Sequence, residues 1–367
     1  MSEFRIDQVT NRSGEAGTSV SGITTFSGTS GMILPNGPSE YRGERGRGVW
    51  YCGAVPRENV IDYITIASTG NAQDFGDAST TTNATGGGAS STRGVFIGGE
   101  DANPGYNSIH YVTFASSGGA IDFGELSHPG SDAGGYYPFV ASNQTRAVAS
   151  YGYGSAAPTQ NRSAQEYITI ATTGNGKEWA DVSAAGTRFG GGTCSSPTRG
   201  IFIGGVQSAA GIYDESQGDV VQSAGAGTSY MRYLTFSTIG SSEHFGNLTY
   251  VGEYITGASN STRGIIMGGS PNPSNGNATN NIAYITITSG GQETDFGDLT
   301  VRRWIAAGLA SETRAVCAGG QLQSAPSWSN TMDYVTIQTT GDATDFGDLT
   351  TDRAWIGAAS DVHGGLG

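Results

Sequence analysis

The residues of this chain whose types and spacing could do chemistry are acids. Asp74-Phe75-Gly76-Asp77, Asp295-Phe296-Gly297-Asp298 and Asp345-Phe346-Gly347-Asp348 each place two carboxylates three residues apart. Calcium in a turn is the chemistry to test there, because a hard cation prefers several carboxylate and carbonyl oxygens. Asp214, Glu215 and Asp219 form a second, weaker acidic group. The shared phenylalanine argues for a structural role instead, with the acids capping turns and pairing with arginine. The four histidines, His110, His128, His244 and His363, have no shared metal-ligand spacing. Cys52, Cys194 and Cys317 form no Cys-x-x-Cys pair, so free thiols or one incidental bridge are expected. Copper radical chemistry needs converging Tyr, His and Cys ligands, and no such set is found. No Ser-x-Asp-x-Gly-x-Thr-Trp box recurs, and Gly86-Gly87-Gly88 has no helix after it to make a phosphate loop. The reading is of a protein that is not an enzyme and needs no cofactor or metal.

The elements that carry these residues repeat six times. A strand beginning at an arginine recurs at Arg47, Arg93, Arg146, Arg199, Arg263 and Arg314, usually ending in Gly-Gly. The next strand carries Tyr63, Tyr111, Tyr167, Tyr233, Tyr284 or Tyr334, spaced 48, 56, 66, 51 and 50 residues apart. That period is the length of a kelch-type propeller blade. The third element holds Phe75, Phe123, Phe296 and Phe346, is looser at residues 122–125 and 244–247, and is replaced around Trp179 in the third copy. A fourth strand precedes each arginine, best seen at Trp304-Ile305-Ala306-Ala307-Gly308 and Trp355-Ile356-Gly357-Ala358-Ala359, joined to it by a tight Ser/Thr turn. Four antiparallel strands, six times over, predict an all-β, six-bladed, kelch-like β-propeller over residues 45–367. The Arg47 strand lacks a partner before it and the Trp355 strand lacks one after it. One blade shared by N- and C-terminal strands would close the ring.

The 60 glycines among 367 residues belong to the repeat. A net charge of −14 argues against nucleic acid and anionic membranes as partners, since both need a positive surface. Only Lys177 of the 18 basic residues is a lysine, and the repeat arginines are expected to pair with repeat carboxylates such as Asp298 or Asp348. The start lacks a secretory pattern and no apolar run is long enough to span a membrane, so synthesis in a cytoplasm without membrane insertion is expected.

Residues 1–44 fall outside the repeat. Their Ser, Thr and Gly are punctuated by Ile6, Val9, Val20, Ile23, Phe26, Met32 and Leu34, which suits an extended docking arm that orders on a partner. The phrases Phe4-Arg5-Ile6-Asp7-Gln8-Val9-Thr10-Asn11-Arg12 and Ser21-Gly22-Ile23-Thr24-Thr25-Phe26-Ser27-Gly28-Thr29-Ser30-Gly31-Met32 resemble the opening of virion structural proteins of marine tailed bacteriophages, cyanophages in particular. The repeat phrase from Asp62 to Asp77 is similar to kelch-like repeats in the same set. The resemblance implies a place in a virion, as a structural or accessory component in several copies bound to other virion proteins, in tail, neck, fibre or capsid surface.

The loops between the arginine and tyrosine strands differ in length, with residues 206–231 the longest. They leave equivalent strand ends and so should crowd one face, with Tyr106, Tyr213, Asp214, Glu215, Asp219 and Trp328 as contact residues. That face would meet a neighbouring virion protein or, in the alternative reading, a host-surface glycan. One longer connection, residues 126–136, is placed at the opposite end. Loops so unequal predict no sixfold function for the propeller itself.

Overall fold

The computed structural model describes residues 46–54, 57–101, 107–127, 137–150, 164–181, 188–207, 213–214, 219–220, 227–271, 277–323 and 327–366. The expected arm, residues 1–44 with Ile6, Val9, Ile23, Phe26, Met32 and Leu34, lies outside them, as do Tyr106 and Glu215. The described residues form six four-stranded antiparallel sheets arranged as a β-propeller, with a 3-10 turn at Gly364–Leu366. Among the described residues no helix is long and apolar enough to cross a membrane.

Blade 2 shows how the repeat makes a sheet. Its inner strand Gly86–Ala89 pairs with the arginine strand Arg93–Ile97, then come Ser108–Thr113 and the outer strand Ile121–Glu125. The arginine strand is buried from Gly94 to Ile97 because neighbouring blades cover both its faces. The outer strand follows two exposed residues with the buried Phe123, as a half-wet strand should. Blades 3 to 6 have inner strands Phe139–Ser142, Gly192–Ser195, Thr256–Ser259 and Ala307–Ala310. Blade 1 takes its inner strand, Gly357–Ser360, from the far end of the chain. There Gly48 pairs with Ser360 and Tyr51 with Gly357, so the shared closing blade is confirmed.

The two inner strands placed from the sequence, at Trp304 and at Trp355, begin later than expected, at Ala307 and Gly357. Arg303–Trp304 is a separate two-residue strand paired with Gln321–Leu322, and the blade 6 inner strand starts only at Ala307. Ile305 breaks the run because its φ is 58°, and Trp355 at φ 60° does the same in blade 1.

The repeat arginines act differently from the expectation of carboxylate pairing with Asp298 or Asp348. Each guanidinium lies 4.2–5.3 Å from the ring centre of its own blade's tyrosine. Each also donates across the junction to a main-chain carbonyl of the next blade at 2.5–3.2 Å. Arg47 reaches Phe114, Arg93 reaches Ile170, Arg146 reaches Phe236, Arg199 reaches Ile287, Arg263 reaches Ile337, and Arg314 returns to Ile66. A carbonyl wins because the arginine must span a junction whose facing groups are the ends of the neighbour's tyrosine strand. Stacking and a charged hydrogen bond together contribute on the order of 2 kcal/mol per junction. Phe75, Phe123, Trp179, Phe245, Phe296 and Phe346 stand edge-on to the same tyrosines, at 5.6–6.3 Å and 71–83°. Trp179 therefore takes the phenylalanine's place in blade 3 and adds a bond from its Nε1 to the carbonyl of Gly240.

The glycine of the Asp-Phe-Gly-Asp phrase is required by a close approach. Gly347, at φ +139°, lies against the carbonyl of Gly70 in the next blade's turn, and Gly70 N donates to Phe346 O at 2.7 Å. Equivalent bonds join Phe75 to Gly118, Phe123 to Gly174, Phe245 to Gly291 and Phe296 to Gly341. Outer-strand edges are thus occupied by a neighbour's turn rather than left to pair with another chain.

Two junctions carry a further lock that the sequence reading missed. Arg353 donates to Asp62 Oδ2 at 2.6 Å and to Val60 O at 3.0 Å, and Thr350 donates to the same carboxylate through N and Oγ1. Arg303, Asp333 and Thr300 repeat the arrangement between blades 5 and 6. All four charged side chains are fully buried. Burial pushes the Arg353 guanidinium below its ordinary pKa, and the Asp62 carboxylate opposes that shift.

Candidate binding face

Four strands per blade return every second connection to the same end of the disc. The long loops after the arginine strands therefore share a face with the connections between blades, here called the upper face. Short ladders between the two sets show this directly: Thr82–Asn83 pairs with Glu100–Asp101, Arg188–Phe189 with Val206–Gln207, and Glu253 bridges Ser270. The described flanks of the segment expected at the opposite end, residues 126–127 and 137–138, join the outer strand Ile121–Glu125 to the inner strand Phe139–Ser142 and so lie at the upper end, while residues 128–136 lie outside the described residues. Tyr137 consequently belongs to the upper face.

Around the upper mouth of the central channel runs a ring of six residues in the left-handed conformation, one from each connection. They are Trp355, Ala84, Tyr137, Gly190, Tyr254 and Ile305, with φ between 52° and 64°. Five main-chain bonds run around this ring: Ala84 N to Trp355 O, Tyr137 N to Ala84 O, Tyr254 N to Gly190 O, Ile305 N to Tyr254 O, and Trp355 N to Ile305 O, at 2.5–3.3 Å. A non-glycine residue in this region costs on the order of 1 kcal/mol, most for β-branched Ile305. The ring bonds and the fixed inner strands below hold it there.

Large and small side chains alternate around the ring. Tyr137, Tyr254 and Trp355 are aromatic, and Ala84, Gly190 and Ile305 lie between them. The aromatic rings converge over the axis: Tyr137 and Trp355 are 4.3 Å apart, Tyr254 and Trp355 5.3 Å at 86°, and Tyr137 and Tyr254 6.4 Å at 86°. Trp304 extends the group, 5.5 Å from Tyr254 at 88°. Tyr137, Tyr254 and Trp355, without Trp304, line an open pit of about 90 Å³ together with Thr85, Pro138, Gly190, Gly191 and Ile356, and no charged side chain lines it. All four aromatics remain partly exposed, whereas Ala84 and Ile305 are buried. Beneath the pit the channel is a polar space of about 120 Å³, lined mainly by inner-strand backbone with Thr193 and Thr256.

The lower mouth is closed by the segment after the last inner strand. His363 Nε2 lies 2.9 Å from Ala89 O and 3.3 Å from Ser142 Oγ, while its Nδ1 accepts from Gly365 N at 3.0 Å, which sets the neutral Nε2–H tautomer. Gly364, Gly365 and Leu366 are buried against the ends of the inner strands. Asp361 Oδ1 accepts from Arg47 N at 2.7 Å, the bond that Ser90, Asn143, Ser196, Asn260 and Ser311 make to the arginine of their own hairpins. The closing blade thus keeps the turn cap although no chain joins its two strands.

The sequence-predicted contact residues are only partly brought together. Trp328 is half-buried and bridges Gln321, whose other side pairs with Trp304, so it borders the aromatic mouth. Tyr213–Asp214 and Asp219–Val220 form a small antiparallel hairpin. The six candidate calcium acids do not converge: among the described residues no group of three or more His, Cys, Asp or Glu could hold an ion. Asp74 and Asp345 instead accept from Gly76 N and Gly347 N within their own phrases. Cys52, Cys194 and Cys317 are free and buried, and burial pushes their thiols up to about 12, 12 and 11. Glu253, beside Tyr254, is 3% exposed, and burial pushes its carboxyl up to about 7 against the lowering effect of a bond from Gly227 N. The aromatic mouth was missed because its positions hold Ala, Tyr, Gly, Tyr, Ile and Trp, a set with no common residue type.

No protein-family model matches the chain, and no curated protein matches its sequence.

Proposed function

We propose that this chain is a non-enzymatic structural or accessory component of a tailed bacteriophage particle, present in several copies. In this reading residues 1–44 dock onto other virion proteins and the upper face of the propeller meets a partner. The observation that best supports it is the division between the two faces. Every lower turn between tyrosine and outer strands spans the same length, from Thr65 to Gln73 in blade 1 through Thr336 to Thr344 in blade 6, and is tied to the outer strand of the preceding blade. The upper loops differ in sequence in every blade. A rigid frame with one variable face suits recognition and assembly better than turnover. The test is cryo-electron microscopy of the particle that carries the protein. Residues 1–44 ordered among capsid, neck or tail subunits would support the reading; a propeller absent from the particle would overturn it.

A second reading, attachment to a host-surface glycan through the upper loops, is favoured by the partly exposed Trp328 within them. Purified protein that binds neither a glycan array nor host envelope preparations would remove it.

A further inference from the structure

We infer that residues 361–366 form a pH-sensitive stopper for the lower mouth of the channel, seated by the neutral ring of His363 and released when that ring becomes doubly protonated. The inference stands apart from placement in a virion. Its basis is the tautomer. Nδ1 of His363 accepts from Gly365 N at 3.0 Å, so the one proton of the neutral ring sits on Nε2, which faces Ala89 O at 2.9 Å and Ser142 Oγ at 3.3 Å. Both ring nitrogens of a histidinium are donors. A proton on Nδ1 would therefore oppose the Gly365 N–H and remove the bond that folds the segment back on itself.

The segment has no slack with which to absorb that change. Gly364 lies against the carbonyls of Asn260 and Ser195, and Gly365 against that of Ser142, so closely that neither position has room for a Cβ. Blades 2, 3, 4 and 5 thus all touch a segment that belongs to the strand closing blade 1. Turning the ring over would give up Ala89 O. Leaving the seat is the remaining response, and His363 is partly exposed, so solvent protons reach it.

Few other groups near the seat change charge. The space of about 60 Å³ beside His363 is lined by Ser142, Ser195, Ser259 and Ser360 among uncharged residues. The six inner strands carry one titratable side chain, Cys194, whose thiol is pushed up to about 12 by burial and bonds to Ala258 O. Of the five hairpin turns around the mouth only that of blade 6 has an acid, Glu312, and its carboxylate accepts from Ser261 N and Oγ. Asp361 accepts from Arg47 N, and the Arg47 guanidinium is held by Tyr63 and Phe114 O. Histidine is the side chain that ordinarily titrates between about pH 5 and 8.

The sign follows from which state takes the proton. Seating of the neutral ring is fully favoured above the ordinary histidine value of about 6.5 and weakens as pH falls through it. At about pH 5.5 a released ring is protonated about ten to one, so the unseated fraction rises about tenfold. Asp361, which also donates its N–H to Arg47 O, leaves with the segment, and the end of the closing strand Gly357–Ser360 frays next.

The experiment is amide hydrogen exchange of the full chain at about pH 7.5 and about pH 5.5, corrected for intrinsic exchange, together with the imidazole nitrogen shifts of His363 by NMR. Protection in residues 363–366 should fall about tenfold at the lower pH, while Arg314–Ala318 in mid-chain keeps its own. His363→Gln should abolish the pH dependence. Glu253→Gln should leave it intact, which separates it from the titration of Glu253. If His363→Gln leaves the segment unprotected at both pH values, the shifts of the unaltered protein decide: a ring that gains its second proton as protection is lost supports the inference. Protection equal at the two pH values, a ring doubly protonated while residues 363–366 stay protected, a neutral ring with its proton on Nδ1, or the same pH dependence in His363→Gln would each overturn it.

Discussion

Removing one carboxylate from the closing blade should open the propeller at its only break in chain continuity. In Asp62→Ala the Arg353 guanidinium keeps its bond to Val60 O but loses its ion partner while remaining fully buried. Thr350 loses the acceptor for both its N–H and its hydroxyl. Breaking a buried pair from one side typically costs about 3–5 kcal/mol, a large part of the roughly 5–15 kcal/mol that holds a domain folded. Asp333→Ala removes the same chemistry between blades 5 and 6, where the chain runs on without a gap. Urea unfolding should show similar losses for both variants. Amide exchange should separate them, with protection lost first in Arg47–Gly53 and Gly357–Ser360 for Asp62→Ala only. Replacing both partners, Asp62→Leu with Arg353→Met, should recover most of the stability, because the charges then need no solvation. A loss below about 1 kcal/mol in Asp62→Ala would refute the reasoning, since it would mean that water reaches Arg353.

Two other expectations follow from buried groups. Because Glu253 has its carboxyl raised to about 7, the folded state holds a proton that the unfolded state releases near 4.5. Its contribution is full below about pH 4.5 and is lost as pH rises through 7, by at most about 3 kcal/mol, so Glu253→Gln should flatten the stability profile between about pH 5 and 8; an unchanged profile would contradict this. With thiols raised to about 11–12, less than about one in a thousand is ionised at pH 8. Ellman's reagent should find no fast thiol in the folded protein and three after unfolding, and one fast thiol in the native state would contradict their burial.

The fold was legible where one residue type had to recur for one physical reason. Tyrosine recurs because an arginine stacks on it and an aromatic edge meets it, so all six copies are visible. Ring closure was legible from the unpaired strands at Arg47 and Trp355. The arginine's second partner was not, because a main-chain carbonyl leaves no mark in the sequence. The paired locks did leave one: Leu299-Thr300 and Leu349-Thr350 are each followed by an arginine three residues on, and Asp333-Tyr334 and Asp62-Tyr63 are the two copies with aspartate before the tyrosine. The mouth of the channel had no such signature, since its conformation is imposed by ring hydrogen bonds on whatever side chain stands there.

The position of strand Arg47–Gly53 has a mechanical consequence. It is an interior strand, bonded to Glu58–Thr65 on one side and Gly357–Ser360 on the other, with a side-chain cap from Asp361 at its first amide. Tension applied at Gly46 along the strand axis would load both ladders in shear, so many hydrogen bonds must fail together. The same tension on an edge strand would peel bonds one at a time. A propeller tethered through residue 46 is thus gripped at one of its most force-resistant strands.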